Sequence, residues 1–207
     1  MSDVSIKDGT GDCNRAKVDS NRRLHNRGVI DSKFVNLVST GRAHSTATGV
    51  IDLTSSTTSV VAYLKNTGDS DLIVAGFTIS STKSQELTGT VNPQGSILVE
   101  ILTGFTAHTL TTAITPIPLK SNNAITLEAT ILSGAEGDTV TGGISFSDTF
   151  VQHGTIYSSA ENSEAPFFFP KDTEIAIRVT PPSGTAVGND KIQISFSTII
   201  YTSDGDL

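Results

Sequence analysis

The sequence runs to 207 residues with a formal net charge of −7, 36% hydrophobic and 17% charged residues, and much Ser, Thr, Gly and Asn, enough chain for one sizeable domain with an appendage. Cys13 is the one cysteine and there is no Trp, which excludes an intramolecular disulfide framework. No run approaches the roughly 18 apolar residues of a membrane-spanning helix, and the front lacks the apolar centre of a signal peptide, so the expectation is a soluble protein assembled in a reducing cytoplasm.

The chain opens on "IKDGTGDCNRAKVDSNRRLHNRG" (Ile6–Gly28), where Arg15, Lys17, Arg22, Arg23 and Arg27 stand among Asp, Asn and Ser with little to bury. Residues 1–43 carry eight Lys/Arg against five Asp/Glu, a balance of +3; residues 44–207 carry six against sixteen, a balance of −10. Residues 1–28 show neither helical nor strand periodicity and read as an extended basic arm. Fully drawn out, it would reach about 90 Å.

From residue 29 onward strand follows strand. "GVIDSKFVNLV" and "TGVIDLT" come first. Val60–Lys65 and Leu72–Ile79 then flank Asn66–Asp71, whose Asn, Gly and Asp favour a hairpin or a sheet corner. Gly95–Leu102 follows a turn at Asn92–Gly95, and Asn123–Leu132 sets Ile125, Leu127, Ala129 and Ile131 on one face. The run "GGISFSDTFVQHGTIYSS" is expected to turn Ile144, Phe146 and Phe150 inward. Ile175, Ile177 and Val179 alternate with polar or small neighbours, as do Ile192, Ile194 and Phe196. About nine strands with clean in–out alternation and no long amphipathic helix predict an all-β fold, an antiparallel β-sandwich over residues 29–207. "EAPFFFPKD" is unusual: Phe167, Phe168 and Phe169 form either a strand buried on both sides or an apolar contact between identical subunits.

Chemistry is sparsely represented. His25, His44, His108 and His153 show no metal-ligand spacing, and neither a nucleophile elbow nor a phosphate loop is present. Asp69 with Asp71, Glu136 with Asp138, and Glu161 with Glu164 each lie in a turn; they complete neither a glycosidase pair nor a calcium loop. The expectation is no enzyme, no metal and no cofactor. The arm's cations could bind phosphates, but no aromatic residue between Lys7 and Lys33 is placed to stack a base, and the acidic body would repel a polyanion. Arg15, Lys17, Arg22, Arg23 and Arg27 are therefore assigned to carboxylates of a protein partner.

Asp8–Gly11, Arg15–Asp19 and Arg23–His25 carry a resemblance to a segment near the start of many tailed-bacteriophage virion proteins: Asp-Gly-Thr-Gly, then Lys/Arg-Ala-Lys-Val-Asp, then Asn/Arg-Leu-His. Cys13 departs from it, standing where small or polar residues are usual. "FPKDTEIAIRVTPPSGTAVGNDKIQISFSTIIY" resembles the closing two strands of jelly-roll domains in viral capsid and accessory proteins. The resemblance implies a structural virion protein, of the capsid decoration (cement) or tail-associated type, with a major capsid protein or another virion protein as partner. It also implies a homo-oligomer, a trimer by preference, located on the virion, with no membrane. Two rivals stand beside it: a tail fibre or tail-tip module binding a host receptor or glycan, and a hydrolase with an unrecognised site.

Overall fold

The computed structural model describes residues 5–7, 13–15, 38–54, 57–84, 96–120, 122, 124–152, 156–158, 167–181 and 191–202. The chain divides into two units, Met1–Val35 and Asn36–Leu207. In the first, β1 (Ser5–Lys7) pairs antiparallel with β2 (Cys13–Arg15), Ile6 opposite Asn14. The stretch read as extended thus carries a short antiparallel ladder. A ladder this short has no independent stability. Of Gly28–Val38, read as the first strand, residues 28–37 lie outside the described residues, and Val38 is in a helical turn, its carbonyl accepting from the Gly41 amide.

The second unit holds β3 (Ala43–Leu53), β4 (Ser59–Asn66), β5 (Leu72–Ser84), β6 (Ser96–His108), β7 (Thr112–Ala113), β8 (Ile117–Pro118), β9 (Ala129–Ser133), β10 (Val140–Gln152), β11 (Ile156–Ser158), β12 (Phe167–Phe169), β13 (Glu174–Thr180) and β14 (Lys191–Thr202). One sheet has the order β10-β6-β13-β4-β9-β7, the other β11-β5-β14-β3-β8, with β12 also on β5. All pairings are antiparallel. Taking β3, β4, β5, β6, β10, β11, β13 and β14 as one to eight, the sheets read 1-8-3-6 and 2-7-4-5, the strand order of a jelly roll. The insertion between β6 and β10 extends one side of the sandwich, adding β8 beside β3 and β9 with β7 beside β4. The opposite side ends in β10 on one sheet and in β11 and β12 on the other.

The core lies between the sheets. Val61, Ala62, Leu64, Ile97, Val99, Ile101, Ile175, Ile177 and Val179 from the first meet Leu72, Val74, Phe77, Ile79, Ile192, Ile194 and Ile200 from the second. Each such side chain contributes about 1.5–3 kcal/mol by leaving water. Bulges decide which face a residue takes. The register of β4 against β13 skips Val61, so Val60 and Tyr63 face outward while Val61, Ala62 and Leu64 face in. Val60 and Tyr63 join Leu102, Phe105, Leu110 and Ala176 in a second cluster on that outer face. On β3, Thr48 and Gly49 bulge opposite Phe196, Gly49 adopting φ 76°. The Phe196 amide then donates to the Thr48 hydroxyl instead of a ladder carbonyl, at 3.1 Å.

Asn66–Asp71 takes the second of its two expected forms, a sheet corner, since β4 and β5 belong to different sheets. Two expectations change. Asn123–Leu132 is a strand only from Ala129: the Ile125 amide bonds the Gly41 carbonyl, while the Glu128 carbonyl accepts from Thr67. The segment is crossing between the sheets and cannot form a ladder with either. Ile144, Phe146 and Phe150, expected inside, are 72%, 44% and 68% exposed, and Val151 enters the core in their place. Register shifts at Thr141/Gly142 and Ser145/Ser147 reset the alternation, and an edge strand is covered on one flank only.

Candidate interaction surfaces

Of the five cations assigned to a partner, Arg15 ends β2; Lys17, Arg22, Arg23 and Arg27 lie outside the described residues. The backbone of Arg15 pairs with Ser5.

Several of the body's carboxylates bond to groups of the body itself. Asp138 accepts from the Ala135 amide at 2.7 Å and the Thr109 hydroxyl at 2.6 Å, closing the 135–138 turn onto the insertion. Glu136 accepts from both the amide and the hydroxyl of Thr54. Glu100 receives a two-pronged contact from Arg178, Nε at 2.8 Å and Nη2 at 2.9 Å, a fork that matches the planar carboxylate and raises the Arg178 pKa. Glu174 accepts from the Tyr63 hydroxyl at 2.8 Å. Lys171 pairs with Asp69, which its ammonium holds below the usual carboxylate range. This pair is exposed and contributes little to stability. Glu161 and Glu164 lie outside the described residues.

No group of three or more His, Cys, Asp or Glu placed to hold a metal occurs among the described residues. His44 is buried in β3 and His108 packs its ring 4.3 Å from Tyr63; His25 and His153 lie outside the described residues. No helix among the described residues is long and apolar enough to cross a membrane.

Two hollows bear on ligand binding. An open polar groove of about 400 Å³ runs past Arg42, Ser70, Ile125, Thr126, Glu128 and Thr202 at the corner end of the sandwich. Asn66 also reaches it, but its amide is already spent on Ser70, Phe169 and Gly68. Among the described residues no aromatic ring lines this groove, so a sugar there would have hydroxyl contacts from them and no stacking platform. The second hollow is apolar, about 20 Å³, between Phe77, Phe146, Phe167, Phe169 and Phe196. That is room for about one water, in a wall that offers a water almost nothing to bond.

The triple phenylalanine splits by strand alternation. Phe169 is 5% exposed and packs in the core, Phe167 is half-buried against it, and Phe168 is exposed. Phe167 stacks on Phe77 and meets Phe146 edge-on at 6.0 Å, closing the sandwich between β12 and β10. Of the three, only Phe168 is placed to touch another molecule. The larger apolar exposure, missed in the sequence, is on β10. Its signal was a long strand with two register breaks, flagged by Gly142-Gly143 at φ 75° and 100°.

No protein-family model matches the chain, and no curated protein matches it either.

Proposed function

We propose that the chain is a non-enzymatic structural protein of a tailed-phage virion, a capsid decoration or cement protein fixed to the particle through its basic N-terminal segment. The charge split carries this reading: five cations between Arg15 and Arg27 in one unit, and a net charge of −9 in the other. Arginine forks pair with carboxylates on a shell protein. The jelly-roll body projects and self-associates, so that several weak attachments act as one strong one; the resemblance makes the assembly a trimer. Glu136 and Asp138 are engaged in a turn and Glu100 in the Arg178 fork, which favours the non-enzymatic reading.

The test is deletion of residues 1–27. The shortened chain should keep the far-ultraviolet circular dichroism of a β protein and its thermal transition while failing to co-sediment with particles. Undiminished attachment of the shortened chain would overturn the proposal, and so would its failure to fold.

A further inference from the structure

We infer that the β10 edge seats a second copy of this chain. The inference deepens the self-association just proposed, and rests on it, by naming the surface the copies share.

Topology makes the edge available. The insertion widens the β3/β4 side, whereas among the described residues nothing pairs with β10 beyond β6. A strand of 13 residues thus presents one row of backbone N–H and C=O groups outward. Such an edge is normally protected by Lys, Pro, charges pointing inward or β-bulges. β10, VTGGISFSDTFVQ, has no Lys or Pro, Asp148 is its one charged residue, and after the register shift at Ser145/Ser147 it pairs without a break from Ser147 to Gln152.

The side chains add apolar area. Phe150 stands opposite Leu98 and Ile144 opposite Thr103, so the two lie on different faces of the strand; with the exposed part of Phe146 they present roughly 350 Å² over both faces. A standard interface takes about 800 Å² from each partner, somewhat more than half of it apolar. The edge therefore supplies most of the apolar surface such a contact needs, and the strand itself supplies the hydrogen bonds by extending the sheet.

Charge selects the occupant. Two bodies of −9 repel, and approach most cheaply where carboxylates are fewest. A cationic partner, such as the arm of another copy, gains little on a strand with one carboxylate. It would be drawn to the corner of Asp69, Asp71 and Asp172 instead. An apolar, hydrogen-bonding edge with a single carboxylate fits another edge like itself.

The test is the mass of the full chain in solution, by sedimentation equilibrium across micromolar concentrations. Wild type should be oligomeric, and the double variant Ile144→Asp/Phe150→Asp monomeric with unchanged circular dichroism. Ile144→Lys alone, at the most exposed site, should weaken association by about tenfold or more, and decides the matter if the double variant does not fold. A monomeric wild type, or variants as associated as wild type, would overturn the inference. If Phe168→Asp alone dissociates the oligomer, the copies meet at β12: the inference falls and self-association stands. Co-sedimentation of wild type with particles is scored separately, so loss of virion attachment and loss of this interface give different results.

Discussion

The side-chain amide of Asn66 donates to the Phe169 carbonyl at 2.8 Å, joining the β4–β5 corner to the segment that leads into β13. The same amide donates to the Ser70 carbonyl at 2.9 Å, and the Asn66 carbonyl oxygen accepts from the Gly68 amide. Its backbone closes the remaining gap: the Asn66 amide bonds Thr173, and the Asp172 amide bonds the Asn66 carbonyl. Two crossings between the sheets, one before β5 and one before β13, are thereby held by one residue that is 1% exposed.

Asn66→Ala should therefore cost more than an ordinary polar truncation. It leaves the Gly68 amide and the Phe169 and Ser70 carbonyls without this partner, and each buried orphan costs about 1–3 kcal/mol. Partial access of water to Ser70 lowers the sum, and the expected loss is about 3 kcal/mol. Urea denaturation followed by circular dichroism measures it. A change within the scatter of surface substitutions would show that the corner is held by its backbone alone.

Much of this fold was legible where a strand is long, central and free of bulges. Ile175, Ile177 and Val179 on β13 and Ile192, Ile194 and Phe196 on β14 point inward as their spacing says, because both strands lie in the middle of their sheets. β7, β8, β11 and β12 span two or three residues, too few for any period to show. On β10 the extra residue is Phe146, which moves every later side chain, Phe150 among them, to the other face; Ile144 comes before it and is exposed because it stands on an edge strand. Phe167–Phe169 held both answers at once: a run of identical residues still alternates, so Phe169 is core and Phe168 is surface. The carboxylates at Glu136 and Asp138 were legible as turn residues, since Gly and Ser neighbours leave little for them to do except cap the chain.

The tyrosines give a pH dependence with a definite sign. Burial, and then the bond and charge of Glu174, push the Tyr63 hydroxyl far above its ordinary value of 10.0; burial alone raises Tyr201. Groups whose pKa is raised by folding stabilise fully below their ordinary value, and that contribution fades as pH climbs beyond it. Stability should thus hold through neutral pH and fall once pH passes about 10. Phenolate absorbance should rise in a late step that coincides with unfolding. Tyr63→Phe should flatten the alkaline loss and cost about 1 kcal/mol at neutral pH; an early, fully reversible titration of all tyrosines in the folded protein would contradict this.

Gly134 marks a place where two backbones meet. Its amide donates to the Val61 carbonyl at 2.9 Å, and a Cβ here would stand 1.9 Å from the Val60 carbonyl oxygen. That oxygen belongs to the bulged start of β4, and the neighbouring Val60 amide is already bonded to Asp138. Nothing flexible can yield. Gly134→Ala should cost roughly 3 kcal/mol through forced backbone shifts, read as a lowered urea midpoint, and Gly137→Ala is no control because its φ of 85° brings strain of another kind.

Thr46 offers the opposite outcome. It is 4% exposed on β3, and its hydroxyl has no hydrogen-bond partner among the described residues, nor has Nδ1 of His44 on the same face of the strand. Thr198 lies directly across from Thr46 in the ladder with β14, yet its own hydroxyl leans on the Ile199 carbonyl at 3.5 Å. A buried hydroxyl without a partner carries a desolvation cost of about 1–3 kcal/mol. Valine has nearly the same shape, keeps the β-branched form that suits a strand, and removes the hydroxyl. Thr46→Val should therefore stabilise the protein by about 1 kcal/mol, seen as a higher urea midpoint at unchanged slope. Destabilisation by that substitution would mean that the hydroxyl is satisfied in solution, and the neighbouring His44 nitrogen would then be the first place to look for the group that satisfies it.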